Sequence, residues 1–374
     1  MPEVEFREGA NPVDKILADF DRRRQSLDDL SQATEQLIRT ILEEKRIPIQ
    51  SVQARVKRKD KLKSKYCKPD KDYKSLDDIS DLVGFRIITY YSDKIDQIAE
   101  IVTREFAECG PREDKRIGKT DSFGYSAIHF DCLYLPERLK HTEYKRFAGA
   151  RFEIQITTIL GHAWAEMHHP WYDEVNSPAE EIRRFHRLAA VLELAEQEFL
   201  DIRKKREDRE RIASVRVEAE APEIPITVES LNAFIEQKHI VAEIDGILAR
   251  ILNGQLVAGA SAAQLDSTVK FLAGAEIGTI QELEMILTKA GPALAEFTER
   301  CAPDWKLAQG GFYGNYRCGF SIAQMADFLI CARGETKYRS FWKSKAVDLL
   351  PSLDVGKQAV IATEIAKKYH VFQD

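Results

Sequence analysis

The chain has 374 residues, 44% of them hydrophobic and 31% charged, which describes a globular protein able to bury a core and long enough for two domains, or one domain with an appendage. A net charge of −6 argues against general coating of nucleic acid but leaves room for a local basic groove. No run of about 18 apolar residues is present, and the opening MPEVEFREGANPVDK lacks the basic-then-apolar order of a secretion signal, so no membrane association and a cytoplasmic location are expected. The six cysteines (Cys67, Cys109, Cys132, Cys301, Cys318, Cys331) form no C-x-x-C pair and read as thiols of a reducing compartment rather than a disulfide framework or zinc site.

Residues 11 to about 47 place Ile16, Leu17, Phe20, Leu27, Leu30, Leu37, Ile38 and Ile41 at helical spacings, and Pro48 interrupts the pattern. This predicts an N-terminal helical segment over 1–50, packed on the sheet of the domain after it. Residues 55–74 then hold ten Lys or Arg against three Asp. A charge run is commonly a solvated face, but this one leads directly into acidic residues. A polyphosphate needs cations on one side and a metal on the other, and that order suits it.

In Asp77-Asp78-Ile79-Ser80-Asp81-Leu82-Val83-Gly84-Phe85-Arg86-Ile87-Ile88-Thr89-Tyr90-Tyr91, acids give way to an apolar run rich in β-branched and aromatic side chains. That order predicts a turn feeding a buried strand over 84–91, with Asp81 near its start. A carboxylate there, beside a glycine that permits close approach, suits Mg²⁺ with phosphate ligands as well as it suits a solvated turn. Residues 94–108 predict an amphipathic helix with Ile95, Ile98, Ile101, Val102 and Phe106 inward, and Gly110-Pro111 breaks it. After a polar connector, Gly124-Tyr125 precedes a strand that runs through Leu135. The Tyr125 ring could stack on a base at a cleft edge or simply pack.

A second acidic strand lies at Arg151–Thr157. Its two-residue period puts Glu153 and Gln155 on one face and Phe152, Ile154 and Ile156 on the other. Two strands that each present one acid to a shared cleft would make a metal-dependent phosphoryl-transfer centre. His162 and Glu166, four apart in a short helix ending at Pro170, share a face. The zinc-enzyme spacing is absent, which favours a structural or substrate-positioning role for them. Strand, helix, strand, strand describes an α/β (α+β-like) unit with a mixed sheet flanked by helices.

A long helix of mixed charge is predicted over roughly 178–214, and Glu218–Pro225, with two prolines and three acids, reads as a linker. Residues 227–374 read as mainly helical, with Thr279-Ile280-Gln281-Glu282 as a capping box. Within them, 309–320 hold four glycines and four aromatics and read as an exposed recognition loop or an aromatic-packed turn.

Taken together, Arg55-x-Lys57, Asp81-Leu82-Val83-Gly84-Phe85-Arg86, Gly124-Tyr125-x-x-x-His129, Glu153-Ile154-Gln155-Ile156 and Ala163-Trp164-Ala165-Glu166 resemble, in the same order, the synthetase domain of RelA/SpoT-type proteins, over about residues 45–200. The resemblance implies a nucleotidyltransferase-like synthetase domain over 51–215, then a linker at 216–226 and a helical regulatory or accessory domain at 227–374. It also implies transfer of pyrophosphate from ATP to a ribose 3′-hydroxyl with Mg²⁺ as cofactor. Asp81 and Glu153 would then be the catalytic and metal-binding acids. Arg55, Lys57, Lys61 and Lys65 would grip ATP, and Tyr125, His129 and Gln155 would line the acceptor side. The implied acceptor is GDP or GTP, which would make the product a guanosine tetra- or pentaphosphate alarmone.

Two departures bear on that acceptor. Many family members have Gln or Arg after the Gly-Tyr pair and Arg two residues after the Gln of the second acidic motif, where this chain has Ser126 and Thr157. With fewer cations, the hold on 5′-phosphates weakens. Some toxic members instead modify the 3′ end of tRNA, and CapRel-type fused toxin–antitoxins add a C-terminal part that senses phage proteins. Tyr313-Gly314-Asn315-Tyr316 is similar to the Tyr-x-x-Tyr element of that regulatory part, which makes Tyr313 and Tyr316 candidate regulatory residues and a protein trigger a candidate partner. A non-catalytic nucleotide- or RNA-binding protein is a further alternative, and both a single chain and a homo-oligomer stay open.

Overall fold

The computed structural model describes residues 12–66, 73–114, 127–171, 178–308, 314–344 and 354–372. Contacts divide the chain into two units, Met1–Arg203 and Lys204–Asp374, and the boundary falls inside a long helix.

In the first unit, helix α1 (Pro12–Glu44) buries Ile16, Phe20, Leu27, Leu30, Leu37, Ile38 and Ile41, nearly the stripe that the spacing predicts. It packs along strands β1 (Ile49–Val56) and β2 (Val83–Thr89). A buried 2.5 Å hydrogen bond between Thr34 Oγ1 and Tyr134 Oη ties it to the far side of the sheet. Helix α2 (Lys59–Tyr66) carries most of the described lysine tract and buries only Leu62. Helix α3 (Lys94–Glu105) buries Ile95, Ile98, Ala99 and Val102.

The predicted helix over 94–108 ends early. Phe106–Glu108 is strand β3, paired antiparallel with β5 (Ala127–Tyr134). Phe106 continues the helical spacing, yet its ring meets Tyr134 and Phe152 in the sheet core, and that packing decides the backbone. Strand β4 (Glu113–Asp114) also pairs with β5, and β6 (Phe152–Thr158) lies between β5 and β2.

The strand order β1-β2-β6-β5-β3 combines a parallel β2/β6 pair with antiparallel neighbours, so the sheet is mixed, as expected. Phe85, Ile87, Phe130, Phe152, Ile154 and Ile156 fill one face together with α1 and α3. The opposite face carries Gly84, Arg86, His129, Glu153 and Gln155 in half-buried positions. Helix α5 (Ile159–Trp171) comes after a four-residue α4 (Thr142–Lys145) and the whole of β6, and sets its first turn against helix α6 (Ala179–Glu218). There Thr158 Oγ1 donates to Glu196, and Gly161 N donates to Thr158 Oγ1 at 2.9 Å. Trp164 packs edge-on against Phe185 of α6.

Among its described residues the second unit is mainly helical, with a short parallel pair of β7 (Gln255–Val257) and β8 (Asn315–Arg317). Its helices are α7 (Val228–Gln237), α8 (His239–Leu252), α9 (Ala262–Gly274), α10 (Ile280–Ala308), α11 (Phe320–Ala332), α12 (Glu335–Ser344) and α13 (Val355–Lys368). They close around Leu231, Phe234, Leu287, Phe297, Phe328 and Ile365. The capping box at the start of α10 forms as predicted. Glu282 Oε2 accepts from Gly278 N and Thr279 N at 2.8 and 3.0 Å, and Thr279 Oγ1 accepts from Glu282 N at 3.2 Å.

The stretch read as a solvated linker behaves differently. Ile224 is buried, Ile226 N donates to Gly278 O and Ile280 N to Ile224 O, so the chain is pinned across the start of α10. The chain turns here, with Glu220 and Glu223 at φ 48° and 51°, and Ile224 and Ile226 supply the apolar contacts that hold it down. Of the glycine- and aromatic-rich stretch 309–320, the described part is β8 and the start of α11.

Candidate active site

The site is built where β1 and β2 meet the turn that precedes β2. Asp81 lies in the short turn Ser80–Leu82 with φ −96° and ψ 27°, outside helical geometry. Lys57 comes directly after β1, and its backbone N donates to Leu82 O at 2.8 Å, which draws the end of β1 onto this turn. The side chain then reaches back, with Lys57 Nζ 2.5 Å from Asp81 Oδ2. Lys65, in the last turn of α2, brings Nζ within 2.9 Å of Asp81 Oδ1. Burial alone would raise the Asp81 pKa, but the bonds and charges of the two lysines outweigh it and hold the carboxyl below its ordinary range.

Glu153 enters from β6. Register pairs Gly84 with Glu153 across the parallel strands and His129 with Gln155 across the antiparallel ones. His129 Nδ1 stands 3.0 Å from Glu153 Oε1 as a diagonal neighbour, and Gln155 Nε2 donates to Glu153 Oε2 at 2.8 Å. Burial pushes Glu153 up, and His129 together with Gln155 more than reverses it, so this carboxyl too is held ionised at neutral pH. The Asp81 charge opposes that ionisation, which places both acids in one electrostatic neighbourhood. Lys65 responds to both. Burial lowers its pKa, but the bond and charge of Asp81, with smaller help from Tyr73 and Glu153, leave it raised. Lys65 thus feels the charge of both acids, and only Asp81 is in direct contact with it.

A second layer surrounds this pair. Arg86 on β2 donates from Nε to Gln155 Oε1 at 3.3 Å, and from Nη1 to Glu166 Oε1 at 2.6 Å, with His162 Nδ1 2.9 Å from the same nitrogen. Burial and then the Arg86 charge push the His162 ring below its ordinary pKa, so it is neutral at pH 7 and accepts at Nδ1. Glu166 is held below its ordinary value by Arg86 first, with Arg55 contributing. Arg55 lies on β1 opposite Gly84, where an added Cβ would stand 4.0 Å from both Arg55 Nε and Glu153 Oε2. Gly84 therefore keeps a gap open between a cation and an acid.

Of the sequence-predicted residues, Asp81, Glu153, Lys57, Lys65, His129, Gln155 and Arg55 converge here. Lys61 is exposed on α2 and makes none of these contacts. Tyr125 and Tyr313 lie outside the described residues. Tyr316 belongs to β8 in the second unit, stacked on Phe320 with ring centroids 4.6 Å apart. Arg86 was assigned no role from sequence, although the two-residue period puts it on the Gly84 face and its register partner is Gln155. Among the described residues no group of three or more His, Cys, Asp or Glu could hold a metal ion, and no helix is long and apolar enough to cross a membrane.

Residues 54–177 match the family model described as a region found in RelA / SpoT proteins. The chain carries a RelA/SpoT-type synthetase domain. Among solved structures, it is similar to the small alarmone synthetase 1 from Bacillus subtilis, at 23% identity over 52% of this chain and 99% of that one, with a TM-score of 0.41. It is also similar to a GTP pyrophosphokinase family protein from Streptococcus pneumoniae, at 22% identity over 51% and 94%, with a TM-score of 0.40. The Bacillus subtilis protein bound to its product pppGpp gives 23% identity over 51% and 97%, with a TM-score of 0.41. No curated protein sequence matches the chain.

Proposed function

We propose that the first unit transfers the β,γ-pyrophosphate of ATP to the 3′-hydroxyl of a guanosine nucleotide, GDP or GTP, in the cytoplasm. The observation that supports this reading most is that Asp81, paired with Lys57 and Lys65, and Glu153, bonded to His129 and Gln155, are both held ionised and act on each other electrostatically. The hydroxyl oxygen bonds to the β-phosphorus of ATP, the bond from that phosphorus to the bridging oxygen of the α-phosphate breaks, and AMP leaves with its electron pair. Glu153, ionised and steadied by His129 and Gln155, accepts the hydroxyl proton. Lys57 and Lys65, now on Asp81, would with Arg55 take the triphosphate oxygens.

Two neighbouring carboxylates are a hard-oxygen donor set that fits Mg²⁺, which takes few protein ligands and completes its shell with phosphates and water. Asp81 and Glu153 would hold it, and when bound it neutralises charge on the transferring group.

A second reading rests on the acceptor side. Ala127 faces Thr157 in register, both fully buried, so this pair itself, among the described residues, offers no cation for 5′-phosphates. This favours a tRNA 3′ end as acceptor, with Tyr313 and Tyr316 of the second unit taking part in restraint until a protein trigger arrives. Incubation of the protein with γ-labelled ATP and GDP, GTP or bulk tRNA separates the readings. Label on nucleotide supports the first. Label on tRNA, increased by Tyr313→Ala or Tyr316→Ala, supports the second. Label on neither, with the substituted chains as well, points to a binding protein.

A further inference from the structure

We propose that helix α6 pairs with the α6 of a second copy of this chain, antiparallel, about a two-fold axis at Ala195. One side of α6 is already in use. Ala189 and Leu200 are buried, Phe185 packs on Trp164, and Glu196 accepts from Thr158 Oγ1. A second apolar stripe runs along the outer side. Leu188 and Phe199 are 56% and 57% exposed and Val191 and Ile202 both 61%, with the half-buried Ala195 between them. Leu194, 63% exposed, widens the edge. Single exposed apolar residues are ordinary, but five large ones between positions 188 and 202 of one helix form a patch of the kind that marks an interaction surface.

The stripe reads the same in both directions. Outward from Ala195, Val191 and Phe199 stand four positions away, Leu188 and Ile202 seven, Arg184 and Arg206 eleven, and Glu180 and Glu210 fifteen. These offsets keep to one face of an α-helix. A two-fold contact is self-complementary, so that where position i of one copy meets j of the other, j also meets i. An antiparallel pair centred on Ala195 sets Leu188 against Ile202 and Val191 against Phe199, twice over. Each layer then joins a smaller and a larger side chain or two of equal size, and the smallest side chain lies at the axis, where it lets the helices approach closely. The stripe is thus its own complement, which is the property that singles out a second copy as its occupant.

The charges at the ends agree with this. Arg184 Nη2 donates to Glu180 Oε1 at 2.7 Å, and Arg206 Nε donates to Glu210 Oε1 at 2.9 Å. In the antiparallel pair these two ion pairs meet at either end of the apolar stretch. Each end then holds two acids and two bases and stays neutral, and each arginine has a glutamate of the other copy one turn away.

Sedimentation equilibrium of the full chain should give a dimer or a multiple of it. The double substitution Val191→Glu with Phe199→Glu, both at exposed positions, should halve the number of copies while far-UV circular dichroism stays native. Cross-linking reads the direction of pairing without relying on that variant. With a short bismaleimide, a mixture of Leu188→Cys and Ile202→Cys chains should give a linked dimer well above the background of the native chain. Leu188→Cys alone should stay at that background, because its two copies lie about 21 Å apart along the paired helices. A native chain that is a monomer at every concentration would overturn the proposal and leave the stripe to a different protein. An oligomer that keeps its size in the double variant would place the contact elsewhere, and linkage in Leu188→Cys alone as strong as in the mixture would make the pair parallel. Either result overturns it as well. None of these measurements depends on which acceptor the first unit uses.

Discussion

Lys57 is tied twice to the turn that carries Asp81. Its backbone N donates to Leu82 O at 2.8 Å, and its Nζ stands 2.5 Å from Asp81 Oδ2. With the Lys57 backbone already held beside the Asp81 turn, less chain freedom is lost when the ion pair forms. It therefore behaves as part of the fold as well as part of the site.

Asp81→Asn should separate these two roles. With the carboxylate gone, the Lys57 and Lys65 ammonium groups face each other, both mostly covered, without the charge that balances them. Removing one partner of such a group costs about 1–3 kcal/mol of stability where solvent still reaches the site. The first unit should stay folded and melt several degrees lower, while labelled-ATP transfer falls at least a hundredfold. Glu153→Gln should lose as much activity. Calorimetry and the transfer assay on the same preparations check both, and near-native turnover in either variant would end the two-acid reading.

The pH dependence of stability carries a definite sign. Asp81 and Glu153 both have folded pKa values below their ordinary ones. The unfolded chain therefore binds more protons in that range, and the stabilisation is fully present above the ordinary carboxylate values, about pH 5 and upward. It is lost as pH falls through the lowered folded values. The melting-temperature gap between the native chain and Asp81→Asn should be constant from about pH 6 to 8 and narrow below about pH 4. A gap that widens on acidification would mean the lysines do not stabilise the ionised form.

Much of this site could be read along the chain. Asp81 announces itself by acids giving way to a β-branched run, and Glu153 and Gln155 by strict alternation against Phe152, Ile154 and Ile156. Strand β1 could not be found that way. It buries only Val52 completely, so it shows no clean two-residue hydrophobic period, and it merges into the lysine tract. Phe106 misled in the other direction, since one residue satisfies a helical stripe and a sheet core equally well. The Arg86–Glu166 contact joins residues 80 apart. No local pattern specifies it, because it depends on a parallel strand pairing that only tertiary packing sets.

In the second unit, buried Asp245 of α8 accepts from Gly319 N at 2.6 Å and Ser321 N at 2.9 Å, capping α11 from another helix. Burial raises its pKa despite these bonds. The folded state thus holds the proton more tightly, so this contribution is fully present below the ordinary aspartate value and declines as pH rises through the folded one. Asp245→Ala removes both acceptors and should destabilise the second unit by about 2–4 kcal/mol. Asp245→Asn keeps one acceptor but sets its NH2 against the other backbone N–H, and should recover only part of that loss. Urea melts of the two variants at pH 5 and 8 test this, and equal losses would show that packing rather than capping matters there.

Gly84 offers a graded test of the cleft itself. A Cβ there meets Arg55 Nε and Glu153 Oε2 at 4.0 Å, which is ordinary contact, and the strand backbone needs no glycine conformation. Gly84→Ala should therefore fold with stability equal to the native chain or up to about 1 kcal/mol higher, because alanine loses less backbone freedom in a strand. Each further carbon grows into the gap between Arg55 and Glu153, where the triphosphate and the attacking hydroxyl would have to pass. Transfer should fall less than about tenfold in Gly84→Ala and at least a hundredfold in Gly84→Leu, with melting temperatures close to native in both. A Gly84→Leu chain that folds and still turns over at the native rate would place the reacting groups somewhere other than between those two side chains.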